Sequence, residues 1–211
     1  ILIKKFKNYI FDFDGTIANT SILHSNAFRK TLKASNNLKF NFSYEKIKGL
    51  TTKEAFKLIG IKKNLNELTE LKRKIYKCSI DNAQLYKNSK KTLQFLHKRK
   101  KKIFIVSGSQ RTNILKILNN NNINFIRGII SSDNTKYSKP HKMPYKLCLN
   151  KFKLNNEKTI VIEDSAAGLI SAKKNNLKVV GINNKRIKNK SDFFFNNFYY
   201  LFKELKKNEN S

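Results

Sequence analysis

Tryptophan is absent from this chain, and proline (2), cysteine (2), glycine (7) and acidic residues (14 of 211) are all scarce. Cys78 and Cys148 lie far apart and in no metal-type spacing. That excludes a disulfide-stapled scaffold and suits a reduced, cytoplasmic setting. No apolar run approaches the roughly 20 residues of a membrane span. The opening Ile-Leu-Ile-Lys-Lys places its basic residues after its short apolar stretch, unlike a secretory signal. The missing initial Met points to a trimmed or partial chain. No internal repeat is visible, only Lys/Asn-rich low complexity.

The shortage of acids leaves a formal net charge of +31. Such a charge suits nucleic acid or an anionic membrane surface. A second reading accounts for more of the composition. Lys far outnumbers Arg, and Asn, Ile and Phe are abundant while Gly, Pro and Trp are rare, as in an A/T-biased coding sequence. The excess is spread along the chain, and phosphate readers favour Arg forks. We therefore expect no specific nucleic-acid partner and no membrane. With 39% hydrophobic residues, a packed core is possible.

What is present begins with Phe11-Asp12-Phe13-Asp14-Gly15-Thr16. Tyr9-Ile10-Phe11 reads as a strand. Asp12 and Asp14 follow, two residues apart, so at strand period they share a face. Two crowded carboxylates oppose each other's ionisation unless a cation or proton intervenes. Gly15 then turns the chain. Such a pair suits covalent phosphoryl chemistry, one Asp attacking phosphorus and the other handling the leaving-group proton.

Downstream, Ser21 to Ala34 reads as a helix with Ile22, Leu23, Ala27, Phe28, Thr31 and Leu32 on one face. Thr51 and Glu54 are spaced as a capping box opening a second helix to Ile59. Glu67 to Asn82 reads as a third, with Leu68, Leu71, Ile75, Cys78 and Ile80 inward. From about residue 90, strands (Ile103–Val106, Gly128–Ser131, Thr159–Ile162, Val179–Ile182, and an edge strand Phe193–Phe195) alternate with helices. That pattern predicts an α/β fold with a doubly wound parallel sheet. The expected division is a core of residues 1–16 and 86–211 with an α-helical cap of residues 17–85 inserted.

Ligands in such sheets bind beyond the carboxyl ends of the strands. There the apolar runs stop at Asp12 and Asp14, at Ser107, ahead of Lys139, and at Glu163-Asp164. Carboxylates can hold a hard divalent cation, Lys adds a point charge, and Ser with following backbone N–H groups donates directionally. That set is complete for phosphoryl transfer.

Asp12-Phe13-Asp14-Gly15-Thr16 resembles motif I of the haloacid dehalogenase superfamily. Val106-Ser107-Gly108-Ser109, Lys139-Pro140 and Val161-Ile162-Glu163-Asp164-Ser165-Ala166-Ala167-Gly168 resemble motifs II to IV, in order. The helical insert resembles the cap of the phosphoglycolate phosphatase and β-phosphoglucomutase subgroup. The resemblance implies a Rossmann-like core and a Mg²⁺-dependent phosphatase of a small phosphorylated metabolite, working through a phosphoaspartate. It makes Asp12 the nucleophile and Asp14 the acid/base, with Ser107 and Lys139 on the phosphoryl group. Asp12, the Asp14 carbonyl, Asp164 and Glu163 form its metal site. It puts Thr16, Gly108, His24 and Thr52 at the substrate. Lys48-Gly49-Leu50-Thr51-Thr52-Lys53 resembles the specificity loop of β-phosphoglucomutase, but Thr52 stands where that family's Arg is expected. This favours phosphate release over mutase transfer. We expect a monomer.

Overall fold

The computed structural model describes residues 3–37 and 40–207; Ile1 and Leu2 of the opening segment lie outside it. Six strands, β1 (Asn8–Phe11), β2 (Lys102–Val106), β3 (Gly128–Ile130), β4 (Thr159–Glu163), β5 (Lys178–Ile182) and β6 (Phe193–Phe195), form one sheet in the order β3-β2-β1-β4-β5-β6. Every pairing is parallel. β1 and β4 are buried along their whole length. This is why the strands read as continuous apolar runs rather than alternating ones.

The side chains separate by parity onto two faces. Tyr9, Phe11, Ile103, Ile105, Ile160 and Ile162 belong to one core. It also takes in residues of α5 (Ser89–Lys98), α6 (Arg111–Asn120) and α9 (Phe198–Lys206). Ile10, Phe104, Val106, Val161 and Val179 form the other core with α7 (Met143–Lys151) and α8 (Ala166–Lys173). Full burial of each such side chain is worth roughly 1.5–3 kcal/mol, so the sheet centre is the rigid part. The chain runs outward from β1 through β2 to β3, then crosses back to β4 on β1's other side. The β1/β4 junction is therefore the switch point, where the strand ends leave a crevice.

Between β1 and α5 lie α1 (Ser21–Ala34), α2 (Tyr44–Ile47), α3 (Thr52–Ile59) and α4 (Leu65–Lys77). They share a separate apolar cluster built on Phe28, Leu32, Ile47, Phe56 and Leu68. The two connections to this insert run side by side: Asn19 N donates to Gln84 O at 2.7 Å and Tyr86 N to Ile17 O at 3.0 Å. Thr51 and Glu54 do form a capping box.

Some local expectations change. Ile22 is 62% exposed, and α1 buries His24, Ala27, Phe28, Thr31 and Leu32 instead. The helix expected over Glu67–Asn82 is α4, which begins at Leu65 and ends at Lys77, with a separate 3-10 turn at Ile80–Asn82. Its buried side chains are Leu68, Thr69, Lys72 and Tyr76. Among the described residues, no helix is long and apolar enough to cross a membrane.

Candidate active site

Register brings the rim residues together. Phe11 pairs with Ile105 and Ile162, and Asp12 N continues the ladder to Ile162 O at 2.9 Å. Asp12 and Asp164 therefore leave adjacent strands on the same rim. Between β3 and α7 the chain delivers Lys139, only 2% exposed. Its ammonium donates to Asp12 Oδ1 at 2.7 Å, Glu163 Oε1 at 2.5 Å and Val106 O at 3.0 Å, using all three of its N–H bonds. Glu163 is fully buried. Besides Lys139 it accepts from Tyr145 OH at 2.8 Å, Asp164 N at 3.1 Å, Ser165 N at 3.2 Å and Ser165 Oγ at 3.0 Å.

Asp12, Glu163 and Asp164 each offer an oxygen within 4.8 Å of the others. Burial, then the Glu163 charge, pushes Asp12 well above the usual carboxylate range, although Lys139 pulls against it. Asp164 is pushed up to about 7 by burial, against the pull of Lys48, with which it is ion-paired. Asp12 Oδ2 is buried without a partner. Such crowding is relieved by a cation, and the oxygen donors suit a hard divalent ion. Gly15 has φ +90° beside this cluster, where a Cβ would run into the Asp164 carboxylate and the Lys48 side chain.

Asp14 is held differently. Thr20 Oγ1 (2.8 Å) and Ser107 Oγ (2.9 Å) donate to it, and His24 Nε2 lies 3.0 Å from its Oδ1. Burial works to raise its pKa, but His24 first, and then Ser109 and Thr20, outweigh burial and hold it low. Behind His24, Lys72 Nζ lies 2.8 Å from Nδ1. An ammonium only donates, so Nδ1 accepts and the ring proton sits on Nε2, directed at Asp14. Burial and then Lys72 lower the His24 pKa, against the pull of Asp14. Tyr76 stacks on the imidazole, centroids 4.0 Å apart.

The insert closes over the rim and leaves a cavity of about 310 Å³. Lys48 reaches Asp164, and Glu54 accepts from Ser138, the residue before Lys139. Asn184 Nδ2 donates to Glu45 Oε2 at 3.4 Å. Of the residues singled out by sequence, Asp12, Asp14, His24, Thr52, Gly108 and Asp164 line the cavity. Ser107, Lys139 and Glu163 stand behind that lining and hold it by the bonds above. Thr16 also lies behind, its Oγ1 donating to Asp164 Oδ1 at 3.4 Å. The sequence does not single out Tyr145, Lys72 or Arg73, and it marks Lys48 only as part of the loop Lys48–Lys53, not as a partner of Asp164. Tyr145 gave no signal at all. For Lys72 one existed: Leu68, Lys72 and Tyr76 form an i, i+4, i+8 stripe with a lysine inside it.

Several known proteins resemble the chain. Pyrophosphatase PpaX of Oceanobacillus iheyensis is 25% identical over 180 residues, covering 83% of each chain. A haloacid dehalogenase-like protein from Bacteroides fragilis superposes with a TM-score of 0.86 at 23% identity, over 93% of this chain and all (100%) of that one. A β-phosphoglucomutase from Clostridium difficile gives 0.82 at 22%, over 93% of each. These two structural likenesses speak for the fold. The family model for haloacid dehalogenase-like hydrolases matches residues 9–182, which span the strand ends, the insert and the rim, and the chain belongs to that family.

Proposed function

We propose that the protein is a phosphatase that passes the phosphoryl group of a small phosphorylated metabolite to Asp12 and then to water. One observation carries the reading. Asp12 lines the cavity, tethered through Oδ1 by Lys139, while its Oδ2 has no partner. Asp14, two residues on, is kept ionised by its donors. A tethered carboxylate with one uncommitted oxygen suits in-line attack.

In this reading Asp12 Oδ2 bonds to phosphorus as the ester P–O bond breaks, giving a phosphoaspartate. The arriving phosphate dianion raises the proton affinity of Asp14, which takes up a proton from solvent and passes it to the departing oxygen. Ionised again, Asp14 takes a proton from water as that water's oxygen attacks phosphorus, releasing phosphate and restoring Asp12. Ser107, the N–H of Gly108 and the Lys139 charge steady the transferring group. Asp12, Asp164 and the Asp14 carbonyl would hold Mg²⁺, which when bound offsets the repulsion between carboxylate and phosphate. Glu163, with both oxygens engaged, anchors Lys139 and the β4–α8 turn. His24 and Thr52 contact the substrate, with residues 17–85 as the cap. The unpaired Cys78 and Cys148 suit a reducing cytoplasm.

Asp12→Asn keeps the shape and removes the nucleophile. Turnover should fall by about 10⁴-fold or more. Rapid quenching of the unchanged protein with labelled substrate should trap a base-labile acyl phosphate that the variant lacks. Mg²⁺-dependent turnover persisting in the variant, or label retained by it, would overturn the covalent route.

A further inference from the structure

We propose that the insert wall of the cavity selects phosphate esters carrying a second anionic group, with Arg73 and Lys53 as the specificity-determining residues. The inference rests on the phosphatase reading for the reaction, and on the insert for the rest.

The cavity is chemically two-sided. Its core side carries Asp12, Asp14 and Asp164, and its insert side carries three cations, Lys53 from the first turn of α3 and Lys72 and Arg73 from α4, against one acid, Glu70. Neither Lys53 nor Arg73 is locked in place. Lys53 Nζ donates to a neutral partner, Asn66 Oδ1, at 2.9 Å. Arg73 pairs with Glu70 at 2.5 Å, three residues back on the same helix, and the two side chains are 35% and 60% exposed. Pairs of that kind contribute little, so an incoming anion can compete for the guanidinium. Its planar fork has five N–H donors, a geometry matched to carboxylate or phosphate oxygens.

The general excess of lysine does not explain this placement. On the same helix Lys74 and Lys77 are exposed to solvent, while Arg73 is half-buried and lines the cavity. Lys72, the adjacent cation, is committed to His24. Apolar lining from Phe28, Ile47 and Leu50 suits a short carbon chain between the two anionic ends. A volume of about 310 Å³ lies at the small end of ligand pockets, so the two groups are separated by few atoms.

The test compares three substrates of similar length: a phosphorylated short hydroxy acid, a short diol bisphosphate and a neutral glycol monophosphate. The unchanged protein should favour at least one doubly anionic substrate over the neutral one by about tenfold or more in kcat/KM. The preferred arm tells carboxylate from phosphate. Arg73→Gln should erase most of that preference, mainly through KM, and Arg73→Lys should restore part of it. Adding Lys53→Gln should remove the remainder. A preference surviving the double variant, or no preference to begin with, overturns the proposal. If nothing is turned over, the phosphatase reading fails, and calorimetric binding of the bisphosphate and monophosphate to Asp12→Asn decides this inference by itself. Equal affinities there refute it, and a bisphosphate advantage lost with Arg73 upholds it.

Discussion

Along the core wall of the cavity, Asp12, Asp14 and Asp164 stand at or just beyond the ends of β1 and β4, in short runs of neighbouring residues. Along the insert wall, Lys53, Lys72 and Arg73 stand on α3 and α4, among many other lysines. The two walls enclose the same space by different means. A strand end turns adjacency in sequence into adjacency at a rim, because register fixes each residue against its neighbour strand. A helix distributes consecutive residues round its axis, so Lys72 is buried, Arg73 is half-buried and Lys74 is exposed. The core wall is also tightly bonded, with five donors on Glu163 alone. The insert wall has cations with weak or neutral partners. A fixed rim facing loosely partnered cations follows from that difference.

The bonded wall should break hardest. Glu163→Gln replaces a carboxylate that only accepts with an amide that must also donate. Its NH₂ would meet either Lys139 and Tyr145 or the N–H groups and hydroxyl of the β4–α8 turn. Gly168 leaves no slack, since a Cβ there would overlap the Glu163 carboxylate. We expect a loss of about 3–5 kcal/mol, as for breaking a buried ion pair, together with loss of turnover. Urea unfolding reads it, and a loss below about 1 kcal/mol would mean that the wall is no more committed than a surface pair.

This contrast also explains what the sequence made legible. Strand runs such as Ile103–Val106 and Thr159–Ile162 mark the parallel sheet, and their terminal polar residues mark the rim. The capping pair Thr51 and Glu54 is local and therefore readable. Lys72 left only its place in the Leu68, Lys72, Tyr76 stripe, a weak mark because a lysine in a lysine-rich helix reads as solvated until its partners are known. Lys139 is marked in a lysine-rich loop by the following Pro140, and it sits between Asp12 and Glu163. Lys48, Ser138 and Tyr145 owe their positions to contacts across 116, 84 and 18 residues respectively, as measured to Asp164, Glu54 and Glu163. Nothing local encodes such contacts.

Lys72 gives the intermediate effect. Burial, despite the attraction of Asp14, lowers its pKa to about 8, and Arg73 adds to the lowering. The groups facing it are His24 and Asp14 across the interface and Arg73 and Tyr76 on its own helix. In the unfolded chain it titrates near 10.4. Below about pH 8 both states are charged and the folded state bears the full cost. Between about 8 and 10.4 the unfolded chain binds the extra proton, so stability rises with pH, by up to about 3 kcal/mol from this group. Lys72→Met should remove that rise. Its stability relative to the unchanged protein should be highest near pH 7 and decline towards pH 10, while turnover drops because His24 loses its orienting partner. A stability difference that is flat over this range would show Lys72 titrating as an exposed lysine.

The smallest effect should come from the seam between the walls. Ser138 donates to Glu54 Oε2, which also accepts from Thr51 Oγ1 at 2.6 Å and Thr51 N at 3.4 Å. The Ser138 bond is the one that crosses from the Lys139 segment to α3. Ser138→Ala leaves Glu54 with its Thr51 donors, so no buried acceptor is orphaned. The cost is that of one hydrogen bond, about 0.5–1.5 kcal/mol. Because the bond joins insert to core, the loss should weaken closure over the substrate and appear as a two- to tenfold rise in KM, with little change in melting of the core. Thr51→Ala touches the same carboxylate but only within the insert, so it should lower insert stability and leave KM nearer its original value. A double-mutant cycle between Ser138→Ala and Glu54→Gln should give a coupling of about 0.5–1.5 kcal/mol in the KM-derived binding energy. Zero coupling with an unchanged KM would mean that the two walls meet at this seam without holding each other.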